Sequence, residues 1–153
     1  MDKVRNYLKK YNMADKIIEF SESTATVELA AKALNCEEGR IAKSLSFKLK
    51  DKNILIVTAG DVKIDNSKYR NEFNEKAKML NYDEVLNIIG HPVGGVCPFA
   101  VNEDVEIYLD ESLNRFKTVF PACGSSHNAI EISPLQLAEI TNCIRWIDVT
   151  KNK

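Results

Sequence analysis

Residues 43–59 read KSLSFKLKDKNILIVTA, and this stretch decides the fold. Within residues 43–49, leucine and phenylalanine alternate with serine and lysine, which is the two-residue period of a strand with one apolar face. Residues 54–59 are almost continuously apolar, as expected of a strand that is buried on both faces. The polar residues 50–53 between them predict a turn. We therefore expect two consecutive strands here, the second in the interior.

Short helices and further short strands flank this pair of strands. Apolar residues at helical spacing predict helices over residues 2–12, 27–34, 67–73 and 83–89. Alternating or apolar runs predict strands over residues 17–20, 105–109, 118–122, 129–132 and 144–149, the last at a sheet edge. Ser133, Pro134 and Gln136 match the cap, first-turn proline and third-position glutamine of a helix start. The order of elements predicts an α+β fold with a mixed, curved sheet.

Composition limits the class of protein. The chain has 153 residues, of which 44% are hydrophobic and 28% are charged, so we expect one domain over residues 1–153. Its net charge of −1 argues against non-specific coating of nucleic acid. No apolar run is long enough to span a membrane, and the N-terminal sequence lacks the apolar segment of a signal peptide. The four cysteines are scattered, which favours reduced thiols in the cytoplasm.

Two glycine-rich loops are candidates for ligand binding. The first loop is GHPVGGVCPF, residues 90–99, and the second is CGSSH, residues 123–127. Glycine permits positive φ and lets backbone N–H groups approach a ligand closely. Such N–H groups suit an oxyanion or an ester carbonyl. The alternative interpretation is a pair of tight turns between structural elements.

Lys43 is the third candidate. It follows Ile41 and Ala42 and precedes Leu45, so it could be partly desolvated at the start of a strand. Its ammonium could hold a carboxylate, a phosphate or a carbonyl oxygen, or act as a nucleophile if its pKa fell. The alternative is an edge lysine whose ammonium extends into water.

Two other chemistries are weaker alternatives. A zinc ion needs four ligands, which His91, Cys97, Cys123 and His127 could supply if the two loops meet, but their spacing matches no strong zinc signature. A Ser-His hydrolase would use the second loop, yet the chain has no Gly-x-Ser-x-Gly elbow. We therefore predict no metal and no cofactor.

An ordered set of segments resembles the YbaK/EbsC family of aminoacyl-tRNA deacylases, which includes editing domains related to prolyl-tRNA synthetase. The resemblance extends over about residues 20–141. The segments that carry it are Leu29–Leu34, Ile41–Leu45, Ala59–Asp61, Gly90–Phe99, Tyr108–Leu113 and Cys123–Ser125.

This resemblance implies a fold and an activity. The fold is a single α+β domain with a curved, barrel-like mixed sheet flanked by helices. The activity is hydrolysis of the ester that links a mischarged amino acid to tRNA, with tRNA-Pro carrying Ala, Cys, Ser or Thr as the expected substrate. The implied partners are the aminoacylated acceptor end and prolyl-tRNA synthetase, without a membrane. The alternative is a binding module of the same fold that holds an aminoacyl or nucleotide group without turnover.

The resemblance also implies site residues. The catalytic residues would be Lys43, Gly94 and Gly95. The substrate-binding residues would be Ser44, Asp61, His91, Val96, Cys97, Pro98, Gly124, Ser125 and Ser126. Lys43 would position the substrate while amides near Gly94 and Gly95 polarise the ester carbonyl. A water molecule, or the thiol of a cysteinyl substrate, would then attack.

Overall fold

Helices and a mixed sheet make up the structure, a computed structural model that describes residues 2–153. The α-helices are α1 (Asp2–Lys9), α2 (Val27–Leu34), α3 (Asn66–Phe73), α4 (Tyr82–Ile89) and α5 (Pro134–Thr141). The strands are β1 (Ile18–Glu19), β2 (Ile41–Lys48), β3 (Asn53–Ala59), β4 (Val62–Ile64), β5 (Glu106–Asp110), β6 (Phe120–Pro121), β7 (Asn128–Ala129), β8 (Trp146–Ile147) and β9 (Thr150–Asn152). Over these residues, no helix has the length and apolarity needed to cross a membrane.

Five strands form the central sheet in the order β6-β2-β3-β5-β8. Strands β2 and β3 are antiparallel, with Ala42 opposite Ala59 and Lys48 opposite Asn53. The other neighbours in the sheet are parallel, so the sheet is mixed. The pairs β1-β7 and β4-β9 are separate antiparallel ladders. The predicted α+β class with a mixed sheet is confirmed.

Both faces of β3 are buried, as its apolar run predicts. Leu55 and Val57 belong to the core that includes side chains of α1, α4 and α5, whereas Ile54 and Ile56 belong to a second core that includes side chains of α3. All four side chains are fully buried. The alternating sequence of β2 fixes the register of the β2-β3 pair, because a shift by one residue would move Leu45 and Phe47 out of the second core.

Local sequence signals place the helix ends. Ser133 Oγ accepts a hydrogen bond from Gln136 N at 3.1 Å, and Ser133 N donates to Gln136 Oε1 at 3.3 Å, so the predicted capping box at α5 is confirmed. Helix α1 ends at Lys9, three residues before its predicted end. The β4-β9 ladder was not predicted, because each strand has three residues and the sequence of β9, Thr-Lys-Asn, lacks an apolar pattern.

Candidate active site

A cleft lies beside the part of β2 that has no hydrogen-bonded neighbour on its outer edge. Strand β6 pairs with β2 only at Ile41 and Ala42. Farther along β2, Ser46 O accepts from Leu80 N and Lys48 N donates to Lys78 O. Between these contacts the edge of β2 at residues 43 and 44 faces a cleft of about 390 Å³.

The cleft extends around this edge of the sheet. Lys43 and Ser44 are consecutive residues of β2, so their side chains point to opposite faces, yet both line the cleft. One wall comes from α2 and the segment before it, including Thr26, whose Oγ1 accepts the Leu29 N–H and caps the helix. The other wall comes from the start of α4 and the first glycine loop.

Lys43 supplies the charge of this cleft. Its side chain is half-buried, and its Nζ donates a hydrogen bond to the carbonyl of Val62. Burial lowers the pKa of Lys43 from the ordinary lysine value, and the charge of Lys153 acts in the same direction. Among the cleft-lining residues that the structure describes, Lys43 has the only charged side chain.

The first glycine loop turns tightly beside Lys43. Gly95 N donates to Pro92 O at 3.0 Å, and Gly94 has φ +93°, a backbone conformation that suits glycine. The Gly95 N–H is therefore engaged within the turn. Gly94 and Val96 line the cleft, and no backbone carbonyl of residues 2–153 accepts their N–H groups. These two amides, unlike that of Gly95, are not engaged by a backbone carbonyl of the described residues.

The two glycine loops are in direct backbone contact. A Cβ on Gly95 would lie 2.8 Å from both Gly124 C and Ser125 N. The second loop also carries Ser126, whose carbonyl accepts a hydrogen bond from Thr24 N. The two loops therefore meet, and the hydrogen bond from Thr24 holds the segment before α2 against the second loop.

Two buried hydroxyls of the cleft lack hydrogen-bond partners. Within residues 2–153, three buried side-chain polar atoms have no partner, namely Thr24 Oγ1, Ser44 Oγ and Tyr69 OH. Thr24 and Ser44 both line the cleft. An unpaired buried hydroxyl is costly, so these two atoms are suited to a bound polar group. Sequence reasoning missed Thr24, because nothing in its serine- and threonine-rich segment indicates which hydroxyl becomes buried.

The twelve predicted site residues fall into three groups according to their location relative to the cleft. Those lining the cleft are Lys43, Ser44, Gly94 and Val96. Those adjoining it through the contact between the loops are Gly95, Gly124, Ser125 and Ser126. Those away from the cleft lining are Asp61, His91, Cys97 and Pro98, of which Pro98 lines a separate cavity.

His91 and Cys97 belong to the first glycine loop, and their side chains are buried in the protein. His91 Nε2 lies 2.6 Å from Phe99 O, so Nε2–H is the donor to this carbonyl, and Cys97 Sγ lies 3.5 Å from the same nitrogen. Burial lowers the pKa of His91 to about 4 and raises that of Cys97 to about 12. Both side chains are therefore neutral near pH 7, and in this structure they support the loop without reaching the cleft.

The buried His91 predicts a loss of stability in acid. The ordinary pKa of histidine is 6.5. As the pH falls from about 6.5 to 4, His91 therefore binds a proton in the unfolded chain but stays neutral in the folded protein. This group alone should lower the free energy of unfolding by roughly 3 kcal/mol over that range. Urea unfolding should show a shallower pH dependence in His91→Gln, which keeps a donor for Phe99 O. An NMR titration of His91 with a midpoint near its ordinary pKa would contradict this prediction.

Asp61 lies in the turn between β3 and β4, where it forms an ion pair with Arg115. Its carboxylate accepts two hydrogen bonds from Arg115, at 2.6 and 3.1 Å, and this contact is the largest cause that lowers the pKa of Asp61. Both side chains are partly exposed.

A substitution of Asp61 should therefore have small effects. We expect Asp61→Asn to lower the free energy of unfolding by less than about 1 kcal/mol, because partly exposed ion pairs contribute little. Its rate of ester hydrolysis should change by less than about threefold, since the carboxylate does not line the cleft. Urea unfolding and a single-turnover assay would check both values, and a tenfold loss of rate would place Asp61 in the reaction instead.

The zinc and Ser-His alternatives find no support in the described residues. Over residues 2–153, no group of three or more His, Cys, Asp or Glu side chains is arranged to hold a metal ion. Ser126 Oγ lies 3.0 Å from His127 Nδ1, but the two residues are adjacent in an exposed turn and neither lines the cleft.

Comparison with known proteins gives the family. A family profile described as "Aminoacyl-tRNA editing domain" matches residues 21–140. The uncharacterized protein YwhH of Bacillus subtilis (strain 168) is 52% identical over 150 residues, which cover 97% of this chain and 96% of that protein. A proline–tRNA ligase of Bacillus cytotoxicus is 26% identical over 122 residues, which cover 76% of this chain and 21% of the ligase.

A solved structure agrees with this assignment. The crystal structure of a protein described as a candidate trans-editing enzyme for prolyl tRNA synthetase superimposes with a TM-score of 0.88 at 27% identity, covering 99% of this chain and 96% of that one. The resemblance to YbaK/EbsC deacylases is thus confirmed by sequence and by fold. The chain belongs to the aminoacyl-tRNA editing domain family.

Proposed function

We propose that this chain is a cytoplasmic trans-editing deacylase, acting as one domain over residues 1–153. It hydrolyses the ester bond of tRNA-Pro mischarged with Ala, Cys, Ser or Thr. One observation carries the proposal: Lys43, the single charged side chain described in the cleft, shares that cleft with Gly94 and Val96, whose N–H groups no described backbone carbonyl accepts. The likeness to a candidate trans-editing enzyme along nearly its whole length supports an enzyme that acts outside the synthetase.

The lining of the cleft supports substrates with small, uncharged side chains. No carboxylate is among its described residues, so a lysyl or arginyl group would lose hydration without gaining an ion pair. Its walls are largely apolar, with Ala30, Ile41 and Phe120 among them. The unpartnered hydroxyls of Thr24 and Ser44 supply hydrogen-bond capacity for the α-amino group or a small hydroxyl or thiol.

The proposed mechanism uses positioning and a backbone oxyanion site. Lys43 holds the acyl oxygen or the terminal ribose-phosphate, and the amides of Gly94 and Val96 donate to the oxygen that becomes negative as the ester is attacked. We assign Val96 here in place of Gly95, whose N–H is bound to Pro92 O. A water molecule attacks the carbonyl carbon, the bond to the ribose oxygen breaks, and that oxygen leaves with a proton. With a cysteinyl substrate, its own thiol can attack instead.

The proposed partners are the aminoacylated acceptor end of tRNA and prolyl-tRNA synthetase. The relationship to part of a proline–tRNA ligase supports this choice, because that relative carries a similar segment within a larger enzyme.

A deacylation panel tests the proposal. Purified protein is mixed with tRNA-Pro charged with proline, alanine, cysteine, serine or threonine, and the release of amino acid is followed over time. We expect faster hydrolysis of at least one mischarged species than of prolyl-tRNA. Spontaneous rates for every species would contradict the proposal, and tight binding of an aminoacyl-adenosine analogue without turnover would favour the non-catalytic alternative.

A further inference from the structure

The cleft has a buried floor and an exposed apolar rim. Floor residues such as Ala42 and Phe120 are 4% and 8% exposed, whereas the rim residues Met79, Tyr82 and Val93 are 52%, 76% and 47% exposed. All three rim residues line the same cleft. The rim therefore exposes one aromatic ring, that of Tyr82, beside two aliphatic side chains.

A rigid element holds Tyr82 at this rim. Tyr82 is the first residue of α4, which is anchored in the core by Val85 and Ile89. Glu84 further fixes the start of the helix, because it accepts from Asn81 N at 2.9 Å and pairs with Lys48 Nζ at 2.8 Å. The ring of Tyr82 is largely solvent-exposed, so the fold does not explain an aromatic residue at this position.

The segment leading to the rim is basic. Residues 76–82 read KAKMLNY, with Lys76 and Lys78 exposed and no acidic residue. Two acidic residues, Asp83 and Glu84, follow directly at the start of α4, and Glu84 is paired with Lys48. Exposed lysines four and six residues before an exposed aromatic ring supply the two kinds of group that hold a nucleic acid strand, in which cations contact phosphates and rings stack on bases.

We propose that Tyr82, flanked by Met79 and Val93, is the platform on which the terminal nucleobase of the tRNA stacks while the aminoacyl group occupies the floor beside Lys43. The cleft volume of about 390 Å³ lies in the range of sites for ligands of nucleoside size. This inference rests on the proposed function, since it places the base of the same aminoacyl-adenosine end. Stacking tolerates any base, so the platform adds affinity and leaves the choice of tRNA to other contacts.

A pair of ligands isolates the contribution of the base. The first is 3′-alanylamido-3′-deoxyadenosine, in which an amide replaces the labile ester, and the second is the same alanylamido sugar without its base. Calorimetry gives the affinity of each for the parent protein, Tyr82→Ala and Tyr82→Phe. Leu86→Ala is the matched control, because Leu86 is also exposed, one turn farther along α4, and does not line the cleft.

We expect the parent protein to prefer the adenosine ligand by about 10- to 100-fold, the range typical of stacking on one aromatic ring. Tyr82→Ala should abolish this preference, whereas Tyr82→Phe and Leu86→Ala should keep it. If Tyr82→Ala still prefers the adenosine ligand, or if the parent protein shows no such preference, the proposal that Tyr82 stacks on the base is wrong. Hydrolysis of mischarged tRNA by the parent protein is measured separately, so a failed platform is distinguished from a failed deacylase.

Discussion

Replacement of Lys43 by alanine should lower the rate of deacylation by at least about 100-fold, the scale found when one preorganised electrostatic contact to a reacting oxygen is removed. Lys43 has the only charged side chain among the described cleft residues, and no other cation there can replace it. The strand should persist, because seven residue pairs join β2 to β3 through the backbone. Single-turnover hydrolysis of the best substrate from the panel measures the rate.

Two further variants separate charge from folding. Lys52→Ala removes an exposed lysine at the other end of the hairpin, where it pairs with Glu106, and should leave the rate within about twofold. Lys43→Arg keeps a cation that stays charged at all accessible pH values. A folded Lys43→Ala protein with the parent rate would exclude the proposed role.

The pH dependence of the rate should follow from the burial of Lys43. Because burial lowers its pKa, the ammonium loses its proton at a lower pH than an exposed lysine does. The ratio of the catalysed to the spontaneous rate should therefore fall as the pH rises through that lowered pKa, and Lys43→Arg should not show this fall.

Gly95→Ala should produce the second large effect. The added Cβ would lie 2.8 Å from Gly124 C and Ser125 N and 2.9 Å from Gly124 O, and these backbone atoms cannot rotate away. The two glycine loops must therefore separate, at a cost of about 1–3 kcal/mol in the free energy of unfolding. Displacement of the neighbouring Gly94 and Val96 amides should also lower the rate by about 100-fold, since a shift of 1 Å can cost that much.

The neighbouring glycine gives a matched comparison. A Cβ on Gly94 would lie 3.5 Å from Ala25 Cβ and 3.7 Å from Ser126 Cβ, which are ordinary contacts. Gly94→Ala should therefore lower the free energy of unfolding by only about 1–2 kcal/mol, the cost of a positive φ at alanine. Urea unfolding and single-turnover rates of both variants check the contrast. Equal rates in Gly95→Ala and the parent protein would show that contact between the loops does not position the reaction.

Sequence patterns predicted the scaffold because the signals there are local. The alternation at 43–49 and the apolar run at 54–59 report burial directly, and Ser133 with Gln136 reports a helix start. The short β4-β9 ladder was not predicted, because its two strands are far apart in sequence and pair only in the completed fold.

The site was predictable only in part. Lys43, Ser44, Gly94 and Val96 share a cleft as expected. The engagement of the Gly95 amide depends on a turn hydrogen bond, and the burial of His91 depends on how its loop packs, so neither follows from residue type. Neither Thr24 nor Tyr82 belongs to a sequence motif that indicates a site. The unpaired hydroxyl of Thr24 and the exposed ring of Tyr82 point to a binding role only once the structure places them at a cleft.

A crystal structure with bound 3′-alanylamido-3′-deoxyadenosine tests the location of the reaction most directly. We predict that the acyl oxygen lies within hydrogen-bond distance of Lys43 Nζ or of the Gly94 and Val96 amides, with the alanyl side chain in the cleft. Density for the ligand elsewhere on the protein, with this cleft filled only by solvent, would contradict the account.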